Sequence, residues 1–404
     1  MKPTRRRFLT SATTLAASAA SLGPATSLPR GQTVRTPSSS SFDPWLEINA
    51  ANLAHNVSEI SRRAANRPIL AVIKNNAYGM GLAEAARRLE PMIQIHGFAV
   101  VKLHEAIALR DAGVRKPVLL MGPFDDANLQ DVVARDIMPM VYTPIGAALD
   151  RVAARRGRAV PVHVCVDTGI GRVGVPFRQA ASLIADLAGR RSIAIAGVMM
   201  TFAEDAALDQ EQVRRFNALC AELEGKGITL GRKHTASSFG LFQHPEAFYE
   251  MVRPGMALYG VYSEADFRRA AVMDLRPAMA LRARVAYVKQ VPRGDSVGYS
   301  RAYIAQNDVW VATLPVGHAD GWPRAAAKGA RVRIGDRLYP VIASVSASHT
   351  IVEIGAERRV EIGDVATLWD WQPESRPEDV SAACGASVYD LTMHLNPLLP
   401  RREI

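Results

Sequence analysis

From residue 65 onward the chain alternates in a way that admits few folds. Short apolar, β-branched runs (ILAVIK, HGFAVV, PVLLMG, MPMVY, VPVHVCVD, IAIAGVMM, KHTAS and GMALYG) are separated by segments of helical spacing such as LAEAARRLE, LHEAIALRDAG, QAASLIADLAGR and DQEQVRRFNALCAELEGKG. Eight strand candidates at intervals of roughly 20 to 37 residues, spread over about 200 residues, give the rhythm of a closed (β/α)8 TIM barrel. An open doubly wound sheet also alternates, but no GxGxxG follows the first run, so the barrel is the better reading.

After Leu275 the texture changes. ALRARVAYVKQV, DVWVATLPVG, ARVRIGDRLYPVIASVSASHTIVEIG and VEIGDVATLWD read as alternating strands joined by glycine and aspartate turns, with almost no helical pattern. The folded part is therefore expected to be an α/β chain with a barrel over 42–274 and a mostly-β domain over 275–404. Its 48% hydrophobic content is enough to give both units a core.

Residues 1–41 read differently. TRRRFLTSATTLAASAASLGPA begins with three arginines, runs through a weakly apolar stretch and reaches small residues at Gly23 and Ala25. It is too polar and too short to hold a stable membrane span, and the order Thr4-Arg5-Arg6-Arg7-Phe8-Leu9 resembles a twin-arginine export signal, implying an exported or periplasmic protein. PRGQTVRTPSSSSFDP then reads as a linker. The formal charge of +10 is scattered along helical segments with no basic patch interleaved with aromatics, which argues against nucleic acid as a partner. Cys165, Cys220 and Cys384 are widely spaced and show no CxxC, so neither a zinc site nor a disulfide framework is indicated.

Functional groups in a barrel collect at the carboxyl ends of its strands. Lys74 ends the first run in AVIKNNAYGMG. It is either an ordinary surface lysine at a strand end or a Schiff-base lysine whose amine is kept nucleophilic by apolar neighbours. Asp167, Thr168 and Arg172 follow VHVCVD, Thr201 follows GVMM, Ser237 and Ser238 follow KHTA, and Arg253, Gly255 and Met256 border the last run. Such a ring of amine, guanidinium, hydroxyls and glycine amides suits a phosphorylated aldehyde.

The order of WLEINAANLAHN, AVIKNNAYGMG, DTGIGRVG, HTASS, VRPGMALYG, VGYSRAY, VGHADGWPR and SVYDL resembles alanine racemase, a pyridoxal-phosphate isomerase family with an N-terminal barrel and a C-terminal β domain. The resemblance implies a racemase acting on a small amino-acid substrate with pyridoxal 5'-phosphate as cofactor. It implies that Lys74 carries the cofactor, that Tyr78, Ser237, Ser238, Gly255, Met256 and Tyr389 surround its phosphate, and that Thr201 and Arg253 lie at its ring. Arg172 would meet the substrate carboxylate. Racemisation needs a base on each face of Cα. Lys74 would serve one face, and Tyr299 from a neighbouring subunit the other, so a homodimer with shared active sites is implied. Without the resemblance, Tyr299 reads as a buried strand tyrosine. With an unperturbed pKa of about 10, it needs nearby positive charge to act near neutrality.

Several positions depart from the family pattern. Cys165 stands where a carbamate-forming lysine is usual, Thr201 where a histidine packs on the ring, Ser237 where an asparagine is usual, His318 where a tyrosine is usual, and Ala347 and Ser348 where Met-Asp is usual. The changes at His318 and Ala347 predict a wider mouth and a side-chain preference broader than alanine. Two other readings share this architecture: a basic amino-acid decarboxylase, which would need Cys384 as a catalytic thiol, and a non-catalytic cofactor- or amino-acid-binding derivative.

Overall fold

The computed structural model describes residues 42–404, so the export-signal and linker reading of residues 1–41 lies outside the described residues. Strands Ile69–Val72, Ile95–Val100, Val118–Leu120, Ile137–Val141, Val160–Asp167, Ile193–Met199 and Arg232–His234 pair in that order, each parallel to the next. The helices between them bury the face that their spacing predicts. In Phe177–Ala188 the buried residues are Ala180, Leu183, Ile184 and Leu187, one stripe of a 3.6-residue period. The long helix Ala206–Gly225 starts where the Asp205 carboxylate accepts the Leu208 N–H at 2.9 Å, satisfying one of the donors its first turn leaves free.

The eighth strand is not where the apolar run suggests. Met256–Tyr259 of GMALYG is a 3-10 helix. The barrel closes instead on the extended stretch just before it: Leu70 N–H donates to Val252 O and Val72 N–H to Pro254 O, both at 2.9 Å, while on the other side Arg253 N–H donates to Ala236 O at 2.7 Å. Pro254 lacks an N–H and interrupts the ladder, which is why this segment reads poorly as a strand.

The second sheet has nine strands, and its membership crosses the expected boundary at 274/275. Trp45–Ile48 pairs antiparallel with Met279–Arg284 and parallel with Arg401–Glu403, so the start and end of the described chain lie together in the C-terminal sheet. These partners are more than two hundred residues away from Trp45, beyond the reach of local pattern. Two helices also interrupt the expected β texture, Pro377–Cys384 and Val388–Met393, and the second carries Tyr389. No helix among the described residues is long and apolar enough to cross a membrane.

Helix Ala50–Arg63 fixes the segment that leads out of the barrel. Asn56 is fully buried, donates to Leu258 O at 3.1 Å and Arg276 O at 2.8 Å, and accepts Arg276 N–H at 2.8 Å. Asn56→Leu should leave these three backbone groups without partners and lower stability by roughly 2–4 kcal/mol. Urea unfolding monitored by far-UV circular dichroism measures this, and a midpoint equal to wild type would refute it.

Candidate active site

Strand Ile69–Val72 delivers Lys74 to the barrel mouth, and the chain then turns the wrong way for L-residues. Asn75, Asn76, Ala77 and Tyr78 all lie in the left-handed region, with φ of 53°, 54°, 55° and 53°. Asparagine tolerates this, but alanine and tyrosine pay about 1–2 kcal/mol each, so the surroundings must hold the turn. Gly79 and Gly81 continue it at φ of 90° and 108°, and a Cβ on Gly79 would sit 2.2 Å from Thr392 O. The turn thus packs directly on the helix that carries Tyr389.

The turn brings Lys74 and Tyr78 to one place. Lys74 is half-buried and has no hydrogen-bond or ion-pair partner among the described residues. Burial and the nearby Arg172 guanidinium hold its pKa below the ordinary lysine value, and Glu105 opposes them. Tyr78 is buried, its ring 5.1 Å from that of Tyr259, and a Cβ on Gly255 would lie 2.2 Å from its hydroxyl. Any larger residue at 255 would therefore displace that hydroxyl. Gly255 and Ala257 donate their N–H groups to Ser238 Oγ at 3.0 and 3.1 Å, gathering Ser238, Gly255 and the first turn of Met256–Tyr259 around one point. Ser237 precedes it as the residue before helix Ser238–Gln243. Tyr389 is partly exposed and lies within electrostatic range of Tyr78.

Arg253 fills the barrel interior behind this point. It is buried, donates from Nη2 to Met200 O at 2.8 Å and from Nη1 to His234, and shows no carboxylate partner among the described residues. Burial lowers its pKa to about 10, still well above neutrality. His234 Nε2 lies 2.8 Å from His163 Nδ1, and burial holds both imidazoles neutral, His163 down at about 3. These two histidines escaped the sequence reading. Their signal was a histidine set in each of two otherwise buried strand runs, VHVCVD and KHTAS.

The remaining barrel positions frame the opening. Asp167 Oδ1 accepts the N–H groups of Gly169 and Gly171 at 2.9 and 3.1 Å and shapes the loop that carries Arg172. Arg172 is exposed and has no ion pair among the described residues. Cys165, buried beneath, donates weakly to Val173 O at 3.6 Å, and burial pushes its thiol up to about 11. It is therefore neutral and gives Arg172 no anion. Gln212 ties this loop to the next by donating to Thr168 Oγ1 at 3.0 Å and Thr201 O at 2.9 Å.

Of the residues expected on the second domain, Tyr389 lies near Tyr78, whereas Tyr299, His318 and Ala347 share no hydrogen bond with Lys74 among the described residues. Tyr299 is 76% exposed, so the buried-strand reading of it fails. It starts a 3-10 turn whose next two residues, Ser300 and Arg301, have φ of 53° and 54°. No hydrogen bond or ring contact joins it to a barrel residue among the described residues. His318 and Ala347 are neighbours through their backbones: His318 N–H donates to Ser346 O and Ala319 N–H to Ala347 O, both at 3.0 Å. His318 Nε2 accepts from Arg324 at 3.0 Å, while Ala347 and Ser348 are exposed. Cys384 is a free thiol buried in the core.

The donor set fits a phosphorylated pyridine aldehyde. An amine of lowered pKa stands unpartnered at the mouth, a glycine leaves room where a side chain would strike Tyr78, and a buried guanidinium without a carboxylate lies deeper. Arg172, which acts electrostatically on both Lys74 and Arg253, adds a third basic group, and such a set calls for a ligand with anionic groups.

Comparison with known proteins agrees with this geometry. Residues 48–263 match the model of the alanine racemase N-terminal domain and residues 278–403 that of the alanine racemase C-terminal domain. Among curated relatives, the alanine racemase of Carboxydothermus hydrogenoformans is 31% identical over 364 residues, 88% of this chain and 98% of its own. That of Desulfovibrio desulfuricans is 33% identical over 364 residues, covering 88% and 97%. Among solved structures, the alanine racemase of Clostridium difficile superposes with a TM-score of 0.83 at 27% identity, over 90% of this chain and 96% of that one. The enzyme from a D-cycloserine-producing Streptomyces lavendulae gives 0.84 at 26%, over 90% and 97%.

Because burial disfavours the ammonium form of Lys74, its folded pKa lies below its unfolded one. The resulting penalty on folding is full below the folded pKa and fades as pH rises toward the ordinary lysine value of about 10.4. Lys74→Met should therefore raise the Tm of the cofactor-free protein at neutral pH, with a gain that shrinks toward pH ~10. Calorimetry across that range decides it; a gain independent of pH would contradict the assignment.

Proposed function

The chain belongs to the alanine racemase family and is a pyridoxal-phosphate-dependent racemase; from that premise we propose that Lys74 and a Tyr299 contributed by a second copy exchange the proton at Cα from opposite faces. The observation that carries this reading is the half-buried, unpaired amine of Lys74, set at the same mouth as Tyr78, Gly255 and Arg253. When bound, pyridoxal 5'-phosphate supplies an aldehyde for attachment to that amine and a ring that draws electrons from Cα.

The chain's own residues divide the remaining work. A lowered pKa leaves more of Lys74 Nζ neutral near physiological pH, ready to take a proton from one face of Cα and return it. Ser238 Oγ already accepts two backbone N–H groups, so its own hydroxyl proton is free to donate to a phosphate oxygen, alongside the Tyr78 and Tyr389 hydroxyls. Arg253, locked by Met200 O and His234, would face the pyridine nitrogen. A guanidinium does not surrender its proton, so Arg253 would leave that nitrogen unprotonated and restrain the ring's electron withdrawal when the cofactor is bound. Arg172, free of any ion pair among the described residues, is available to the substrate carboxylate as a bidentate partner.

Tyr299 completes the pair only across an interface. Its exposure in one chain and its presentation on a turn with left-handed backbone support a homodimer in which each mouth receives a phenol from the other copy. The small, exposed Ala347 and Ser348 beside His318 support a side-chain preference extending beyond alanine to lysine, arginine, methionine or serine. The arginine-led sequence of residues 4–9 supports export, with the cofactor travelling on the folded chain.

Borohydride reduction of the yellow protein followed by peptide mapping should place the label on Lys74. Tyr299→Phe should keep the colour and the label but slow racemisation in both directions by ~100-fold or more. A colourless protein after reconstitution, or full activity in Tyr299→Phe, would sink the two-base assignment. Turnover of alanine alone in a panel of L-amino acids would sink the broader preference.

A further inference from the structure

The turn that carries Lys74 and Tyr78 is unfavourable by itself, and two side chains from outside it oppose its relaxation. Glu105, 4% exposed at the start of helix Leu103–Asp111, accepts the Asn76 N–H at 2.9 Å and the Lys102 N–H at 3.4 Å. Arg401 reaches across from the last strand of the C-terminal sheet. It donates from Nε to Met80 O at 2.8 Å and from Nη2 to Gly79 O at 3.0 Å, while its Nη1 binds Pro397 O at 2.8 Å and Leu399 O at 2.7 Å. Four carbonyls from two domains thus converge on one guanidinium that has no carboxylate partner among the described residues. A Cβ on Gly81 would lie 3.1 Å from Arg401 Nε, so the exit of the turn is fitted closely to it.

We propose that Glu105 and Arg401 are positioning residues that together hold this turn left-handed, and that through Arg401 the second domain sets the direction of the Lys74 amine and the Tyr78 hydroxyl. Relaxation of the turn to ordinary backbone would rotate the Asn76 N–H off Glu105 and the Gly79 and Met80 carbonyls off Arg401 at once. The clamp and the geometry therefore stand or fall together. The two clamps differ in one respect. Glu105 also acts on Lys74 through its charge, raising the pKa that burial and Arg172 lower, whereas Arg401 bears on the turn through its hydrogen bonds. The inference rests on Lys74 being the cofactor lysine.

The variants separate these contributions in the full-length protein. Arg401→Lys keeps the charge and loses the fork, Glu105→Gln keeps an acceptor for Asn76 and loses the charge, and Glu105→Ala loses both. Each would be assayed for pyridoxal 5'-phosphate affinity by absorbance, for the pH midpoint of carbamoylation of Lys74 by cyanate in the cofactor-free chain, and for Tm. Arg401→Lys and Glu105→Ala should bind the cofactor about tenfold or more weakly, a loss larger than any accompanying fall in Tm accounts for. Glu105→Gln should stay near wild-type affinity but shift the Lys74 midpoint down by ~0.5 pH unit or more. Wild-type affinity and midpoint in all three, or losses that merely follow Tm, would overturn the proposal. Cyanate needs no cofactor, so a wild type that binds no pyridoxal phosphate while Arg401→Lys still changes the Lys74 midpoint would overturn the cofactor-lysine reading and support the clamp.

Discussion

Closure of the barrel on residues 250–254 decides where everything else in the site can be. Leu70 and Val72 donate to Val252 and Pro254, so the register of the first strand against the closing segment is set by two backbone hydrogen bonds. Lys74 lies two residues beyond Val72 and Gly255 one beyond Pro254. Residues 181 apart in sequence therefore emerge at the same level of the same mouth. A slip of one residue in that register would turn each side chain to the opposite face and separate the amine from the glycine that accommodates Tyr78. The 3-10 turn of Met256–Tyr259 follows directly, and its amides are gathered by Ser238 from the neighbouring element. The site is thus the seam of the barrel, where its first and last segments meet.

The electrostatics at the seam are unbalanced on purpose of function. Arg172 acts electrostatically on both Lys74 and Arg253, and the nearby thiol of Cys165 is held neutral by burial. Arg253 is surrounded by carbonyls and neutral imidazoles, which satisfy its protons without cancelling its charge. Such an arrangement is costly in an empty protein, because buried or half-buried like charges lower one another's stability. A ligand bearing a phosphate and a substrate bearing a carboxylate both relieve that cost, so occupancy and fold stability are linked. Glu105 is an anion placed behind the amine, where it steadies the backbone.

Much of this was legible in the sequence where the determinant was local. The seven regular barrel strands follow the apolar runs, and the helices between them follow the 3.6-residue spacing. The eighth run failed because GMALYG is apolar for a different reason: it is a buried turn packed against helix Ala50–Arg63, while the true closing segment contains an arginine and a proline and does not look like a strand. WLEI was not read as a strand, because its partners at 279–282 and 401–403 are remote and local pattern gives no hint of them. Glu105 looks like any solvent-facing acid in a helix, and Arg401 like a terminal cation. Their importance comes from a strained turn whose dihedral angles no composition or period encodes. Tyr299 was singled out by motif alone, since an exposed phenol on an irregular turn has no periodic signature.

The described residues begin and end in the same sheet, and this has a mechanical consequence for the site. Trp45–Ile48 precedes the barrel and Arg401–Glu403 closes the C-terminal domain, yet they pair with each other, so the barrel is spliced into the second domain at both of its ends. Arg376 adds a further tie by donating to Gly260 O at 3.4 Å, and Glu378 accepts the Tyr262 N–H at 2.7 Å. Domains joined at a single linker tend to hinge, whereas these are held at several points around the turn that carries the lysine. Half of the proposed base pair is therefore mounted on a frame rigid within one chain, and the other half, the exposed Tyr299, depends on association with another. Under that arrangement the geometry of Lys74 is independent of protein concentration, while the approach of the second base is not, so dissociation would remove racemisation before it disturbed attachment of the cofactor.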